Sequence, residues 1–425
     1  MTARHSTSPP PSSPALARVL GNDLCAGCGA CALIAPGRIA MEMQPPGWLR
    51  PCQKAPLDTV AEQRIAAACP GLSLLPPDED TLHHHVLWGP YAAMHTGHAN
   101  DEELRFAASS GGALSALLLH LLESRAVDGV VEIAADPDNP VANRTVISRN
   151  RNELLAAAGS RYAPSAPLAD LAPLVASGER FALVGKPCDV AALRVLCRQD
   201  ARLRETFPWM LSFFCAGVPS QTGAEEVLAA LGTRPGEVVR FRYRGNGWPG
   251  RATAVIAGGG ERSMSYHESW GGILSRHVQH RCKICADGTA MAADIVCADA
   301  WEVDDRGYPL FEERAGSSLI VARNARGARL LEAARASGKL TTAPFDVAGL
   351  ARMQPGQAGR RRALLARLLG LRLTGKVIPR YRGYRLRACA RQNPLKSNLK
   401  NFLGMVRRVL QGRVGGNSRK GRFSG

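Results

Sequence analysis

Near the N-terminus, Cys25-Ala26-Gly27-Cys28-Gly29-Ala30-Cys31 places three thiols with two residues between each pair. That spacing wraps three sulfurs around one face of an iron-sulfur cube, and the glycines let backbone amides turn toward inorganic sulfide. In a two-cluster bacterial ferredoxin such a run is followed, four residues on, by a Cys-Pro that ligates the other cluster. Here that position is Ala35, before Pro36. Cys69-Pro70 has the form of the missing element and completes a [4Fe-4S] ligand set of Cys25, Cys28, Cys31 and Cys69. Cys52 in the same segment is the alternative fourth ligand. A zinc knuckle or a disulfide pair competes with this reading, and the triple spacing argues against both.

A second group of thiols is spread along the chain. The apolar run Phe181-Ala182-Leu183-Val184 reads as a buried strand ending in Gly185-Lys186-Pro187-Cys188-Asp189, with helix following. A thiol at such a junction is expected to have a lowered pKa and an open approach. Leu211 to Gly217 repeats the design around Cys215, and α/β sheets place ligands at strand ends. Cys282-Lys283-Ile284-Cys285 alone could be a redox pair, a zinc site or an iron-sulfur site. With Cys188 and Cys215 it supplies four thiolates, the number a second cube requires.

Two stretches suit an anionic, ring-bearing ligand. Ser109-Ser110-Gly111-Gly112 runs directly into the helix-forming Ala113 to Leu122, and free amides at a helix start favour an anion such as a flavin phosphate. An ordinary N-cap reads the same way. Arg161 and Tyr162, in the turn Gly159 to Ser165, can clamp a phosphate and stack on a ring, or simply form a surface loop. His83-His84-His85 cannot all face one ion, so a solvated linker is preferred there.

The elements that must hold these residues alternate between strand and helix, which predicts an α/β (α+β) chain. The expected units are a disordered tail at 1–17, a small ferredoxin-like [4Fe-4S] domain at 18–75, and a linker around Pro76 to Asp80. An α/β flavin and iron-sulfur region follows in two parts, 88–165 and 166–345, and a basic amphipathic helical tail occupies 346–425. No apolar run approaches the roughly 20 residues of a spanning helix, and no signal peptide opens the sequence. Twelve cysteines then imply a reducing, cytoplasmic setting. The net charge is +18. Asp346 is the last acid, and 20 Lys and Arg follow from Arg352 onward, so the tail carries the basicity. Leu395, Leu399, Phe402, Leu403, Val406, Val409 and Leu410 fall near one helical face with Lys396, Lys400, Arg407, Arg408 and Arg413 around it. Such a helix suits the inner face of an anionic membrane, or docks on the body. No nucleic-acid module accompanies the charge, so nucleic acid is not expected.

Taken in order, these motifs resemble the beta-subunit family of coenzyme F420 hydrogenases and dehydrogenases, which includes chlorophyll-cycle reductases of the 7-hydroxymethyl type. The resemblance rests on the region from Cys25 to Pro70, Arg105 with Ser109 to Gly112, Gly185 to Cys188, Phe214 to Gly217, and Cys282 to Asp287 with Ala293-Asp294-Ile295. It implies an iron-sulfur flavoprotein. FAD would lie near Ser109, Ser110, Gly111, Gly112, Arg161, Tyr162 and Lys186, and Cys188, Cys215, Cys282 and Cys285 would hold the second cluster. Two positions depart from the family pattern. Lys186 replaces a small hydroxyl residue, where it could stabilise a reduced flavin anion or contact an acidic substrate, and Cys297 replaces a glycine.

The expected function is an oxidoreductase that passes electrons from an external, ferredoxin-like donor through [4Fe-4S] clusters to FAD and an organic substrate or deazaflavin. The alternative is a non-catalytic electron-transfer subunit that docks to a partner. Asp287, Asp294, Asp299 and His267 are candidate acids by type and neighbourhood.

Overall fold

The Phe181–Gly185 run has no polar face to offer water, so it must be a strand covered on both sides. In a computed structural model of the chain, which describes residues 13–76, 83–302, 304, 310, 312–412 and 414, it lies inside an eight-stranded sheet. The spatial order is Leu340–Pro344, Ala93–Ala99, Ser318–Ala322, Ile295–Asp299, Trp209–Phe213, Phe181–Gly185, Gly129–Ala135 and Asn143–Ser148. The strands Gly129–Ala135, Phe181–Gly185, Trp209–Phe213 and Ile295–Asp299 run parallel. Antiparallel strands complete both sides. The four parallel strands therefore share one carboxyl edge, where Cys188 and Cys215 follow and Asp299 closes its strand.

This sheet draws on both 88–165 and 166–345, so those two expected parts are one folding body. One apolar core joins Leu117 and Val130 to Leu211 and Ile320. A separate three-stranded antiparallel sheet, Val238–Arg242, Arg251–Ile256 and Glu261–Ser265, carries its own core around Phe241 and Tyr243.

The ends of the chain depart from expectation. A helix, Pro14–Leu20, begins inside the stretch expected to be a disordered tail. Ser13 caps it by accepting from the Leu16 amide at 3.1 Å, Pro14 takes the first turn, and Glu62 accepts from the Ala15 amide at 2.7 Å. The region 18–75 has a small core of its own around Ala32, Ile39, Ala61 and Ile65, and it is also joined to the body: Val19, Leu24, Cys25 and Cys28 share an apolar cluster with Leu193, Leu364 and Leu371. The expected linker falls at 77–80 outside the described residues, and His83–His85 pairs with Gly89–Tyr91 as a short antiparallel ribbon. Much of the expected tail is built into the body. Arg361, in the helix Pro355–Leu373, is buried and donates to the carbonyls of Leu87, Ala286 and Tyr384 at 3.1, 2.7 and 2.8 Å.

Candidate functional site

Cys25, Cys28, Cys31 and Cys69 line one small enclosed cavity. Cys52 sits on the Trp48–Gln53 strand opposite Ala40 and does not line it. The turn through Gly29 has φ +85°, and a Cβ there would stand 2.6 Å from the Ala169 amide, so only glycine permits it. Backbone amides address the sulfurs: Gly27 N lies 3.4 Å from Cys25 Sγ, and amides at Ala30, Ala32, Gly71 and Leu72 serve Cys28, Cys31 and Cys69. Burial pushes all four thiols up, Cys69 to about 11. The guanidiniums of Arg50 and Arg281 pull in the other direction at Cys25. Four sulfurs lined with amide donors and flanked by cations fit a negatively charged iron-sulfur cluster.

Cys188, Cys215, Cys282 and Cys285 form the second set. Burial, then the thiolates of Cys282 and Cys285, push Cys215 up to about 12, and Arg281 lies in the field of Cys285, Cys282 and Cys188. The lowered pKa expected at strand ends is therefore not found, because desolvation outweighs the pull of Lys186 at Cys188 and of Arg360 at Cys215. Arg360 donates to the carbonyls of Cys215, Ala216 and Cys282 at 3.2, 2.8 and 2.8 Å and fixes the two loops together. Among the described residues, no group of three or more His, Cys, Asp and Glu is placed to hold a single metal ion.

The two sets adjoin. Burial and Asp189 raise Cys188 most, and Cys28 and Cys215 add to it, so Cys188 feels one thiol from each set. Gln279 spans the gap, with its Nε2 3.4 Å from Cys282 Sγ and from the Ala26 carbonyl while its Oε1 accepts from Arg50 at 3.0 Å. Lys186 is buried beside both, its Nζ 2.8 Å from Ser165 Oγ and 2.8 Å from Asp189 Oδ2. Burial alone would discharge Lys186, but Asp189 and Cys188 hold it as the ammonium.

Cys215, Ala216 and Gly217 also line a cavity of ≈ 310 Å³ along the sheet's carboxyl edge. Its floor includes Gly112, Ala113, Leu114 and Ser115 at the start of the Ala113–Glu123 helix, which has no side-chain cap. The loop before it is latched elsewhere. Ser110 Oγ donates to the Ser317 carbonyl at 2.9 Å, the Gly111 amide donates to Ser318 Oγ at 2.9 Å, and Arg105 holds the Gly316 carbonyl at 3.0 and 2.8 Å. Ser109 Oγ accepts from the Ser160 amide. Arg161 faces the cavity wall, but its guanidinium is taken up by Asn143 Oδ1 and the carbonyls of Phe241, Pro140 and Ala142. It fastens the turn through these protein acceptors. Tyr162 packs against Trp270 with ring centroids 4.8 Å apart and planes tilted by 47°, and shares the wall with Tyr266 and Trp301.

Of the candidate acids, Asp299 alone lines the cavity, tied to Arg244 at 2.8 and 2.7 Å and to Trp248 at 2.9 Å. Asp287 accepts from the Met291 amide and faces Tyr384, and Asp294 accepts from Met210, so both are framework groups. Sequence reasoning missed Glu132, which lines the cavity and accepts from Ser148 at 2.6 Å. It also missed the wall of Tyr266, Trp270 and Trp301, of which Tyr266 and Trp270 sit one helical turn apart at the helix His267–Ile273 while Trp301 comes from a distant segment.

The family model for the N-terminal part of the coenzyme F420 hydrogenase/dehydrogenase beta subunit matches residues 94–172, and that for its C terminus matches 178–348. The chain is 26% identical over 264 residues to the coenzyme F420 hydrogenase subunit beta of Methanococcus voltae, covering 61% of this chain and 86% of that one. It is 25% identical over 258 residues to the F420-dependent formate dehydrogenase 1 subunit beta of Methanococcus maripaludis, covering 60% and 63%. A chain in the F420-reducing [NiFe] hydrogenase complex from Methanosarcina barkeri shares the fold, with TM-score 0.50 and 19% identity over 67% of this chain and 96% of that one.

Proposed function

Because the chain belongs to the coenzyme F420 hydrogenase/dehydrogenase beta-subunit family, we propose that it is an iron-sulfur flavoprotein oxidoreductase receiving electrons from an external, ferredoxin-like donor or a partner subunit. Cys25, Cys28, Cys31 and Cys69 would hold one [4Fe-4S] cluster, Cys188, Cys215, Cys282 and Cys285 a second, and the large cavity FAD. Bound there, the clusters supply single-electron transfer and the flavin supplies the junction to two-electron chemistry with an organic substrate or a deazaflavin.

The observation that carries this reading is contiguity: Cys28 lies beside Cys188, and Cys215 of that same second set lines the cavity. The protein's own groups prepare each place. Amide donors and the cations of Arg50, Arg281 and Lys186 favour added negative charge in surroundings from which burial excludes water. The uncapped helix start offers amides to a phosphate, and Tyr162, Tyr266, Trp270 and Trp301 offer faces to a planar ring. A cavity of this size beside the thiols favours conversion of a substrate in this chain over electron transfer alone.

An anaerobic dithionite titration followed by visible absorption tests it. Two clusters and one FAD predict uptake of about four electrons per chain, one for each cluster and two for the flavin. Cys215→Ser should lower this to about three. Uptake of none, or a parent and variant that titrate alike, contradicts the proposal.

A further inference from the structure

The last described helix, Leu395–Leu410, has two apolar faces with different fates. Met405 is buried and Val409 and Phe402 half-buried against the helix Pro355–Leu373, where Gly370 admits close approach: a Cβ on it would stand 2.9 Å from the Phe402 carbonyl. The second face is open. Leu395, Leu399, Leu403 and Leu410 are 84%, 55%, 54% and 79% exposed. At 3.6 residues per turn these leucines fall within an arc of about 80°, and Lys396, Lys400 and Arg407 occupy the next stretch of about 40°; Val406, half-buried with its Cγ2 3.5 Å from where a Cβ on Gly370 would stand, goes with the docked side. All three cations are exposed. The face that docks the helix to the body and the face that carries the leucines are therefore not the same.

We propose that this leucine stripe is a membrane-docking surface, inserted shallowly into a bilayer leaflet of anionic lipid while Lys396, Lys400 and Arg407 meet the headgroups. Charge complementarity selects this occupant. No acidic residue follows Asp346; Arg361 is turned into the body, but Lys396, Lys400 and Arg407 stay exposed beside the stripe, so this helix offers cations and no carboxylate to a negative surface. A second copy of the chain would set one basic rim against another, and a nucleic acid would use the cations but leave the leucines in water. A helix with an apolar stripe bordered by lysine and arginine satisfies both parts of a lipid interface at once. Among the described residues, no helix is long and apolar enough to cross the membrane, so the contact is peripheral.

Flotation of the full chain with lipid vesicles tests this. The chain should rise with vesicles of phosphatidylcholine containing about one-third phosphatidylglycerol, and not with phosphatidylcholine alone. Leu399→Asp with Leu403→Asp should weaken binding at least about tenfold by removing inserted apolar surface, and Lys396→Glu with Lys400→Glu should do the same through charge. These side chains are exposed, so circular dichroism and iron content should match the parent in both variants. A parent chain that never floats overturns the proposal. So does a leucine pair that floats like the parent, which would mean charge alone, or a dimer in solution that the leucine pair separates.

Discussion

At the scale of single residues, the thiol assignments make contrasting predictions. Cys69 lines the first small cavity with Cys25, Cys28 and Cys31, whereas Cys52 lies on a neighbouring strand outside it. Cys69→Ala should remove about four iron atoms per chain and Cys52→Ala none, by iron and acid-labile sulfide analysis. Glu132 gives a pH signature. Burial raises its carboxyl from the ordinary 4.5 to about 7, and the Ser148 hydrogen bond offsets this only in part. The folded value exceeds the unfolded one, so this group's contribution to stability is full below the unfolded value and is lost as pH rises through about 7. Above that a carboxylate is buried in ionised form. Glu132→Gln should therefore stabilise the chain relative to the parent near pH 8, by on the order of 3 kcal/mol more than near pH 5. Urea unfolding at both pH values measures it, and an identical difference at the two would refute the assignment.

At the scale of elements, the site depends on how loops are latched to the sheet. A Cβ at Gly111 would stand 2.7 Å from both the Gly97 carbonyl and the Ser318 amide, which are backbone atoms with little room to yield. Gly111→Ala should cost about 1–3 kcal/mol and weaken flavin retention on gel filtration. Arg361 secures three carbonyls from Leu87, Ala286 and Tyr384 around the second thiol set. Arg361→Met strands those acceptors in a buried place and should cost on the order of 3 kcal/mol, read as a lowered urea midpoint. These elements also show what could be read beforehand. Cysteine is rare and the spacing of Cys25, Cys28 and Cys31 is chemical, so that run stood out in the chain, as did the apolar Phe181–Gly185 strand. Cys188, Cys215, Cys282 and Cys285 share no such spacing, and they group by strand-end position and by the family resemblance. Arg360 and Arg361 did not, because a basic stretch reads as solvated charge until a fold turns it inward. The wall of Tyr162, Tyr266, Trp270 and Trp301 joins separate segments that only the topology brings together. Arg161 was legible as a cation beside a turn, but its carbonyl partners come from residues 140–142 and 241.

At the scale of the whole molecule, the parallel strands set the plan. Their common carboxyl edge places Cys215 against the cavity, and a core shared by Leu24, Cys28, Leu193 and Leu364 packs the N-terminal thiol region on the body. The expected division into successive domains gives way to one sheet with its cysteine-bearing N-terminal region and its C-terminal helices packed on it. The leucine face of the final helix looks away from this assembly. The central claim is that two iron-sulfur centres and a flavin site are contiguous in one chain. It is tested most directly by quantifying iron, acid-labile sulfide, zinc and released flavin on a single anaerobically purified sample. About eight iron, matching sulfide and about one FAD per chain are predicted, whereas zinc in place of iron, or a chain free of both metal and flavin after anaerobic reconstitution, would contradict it.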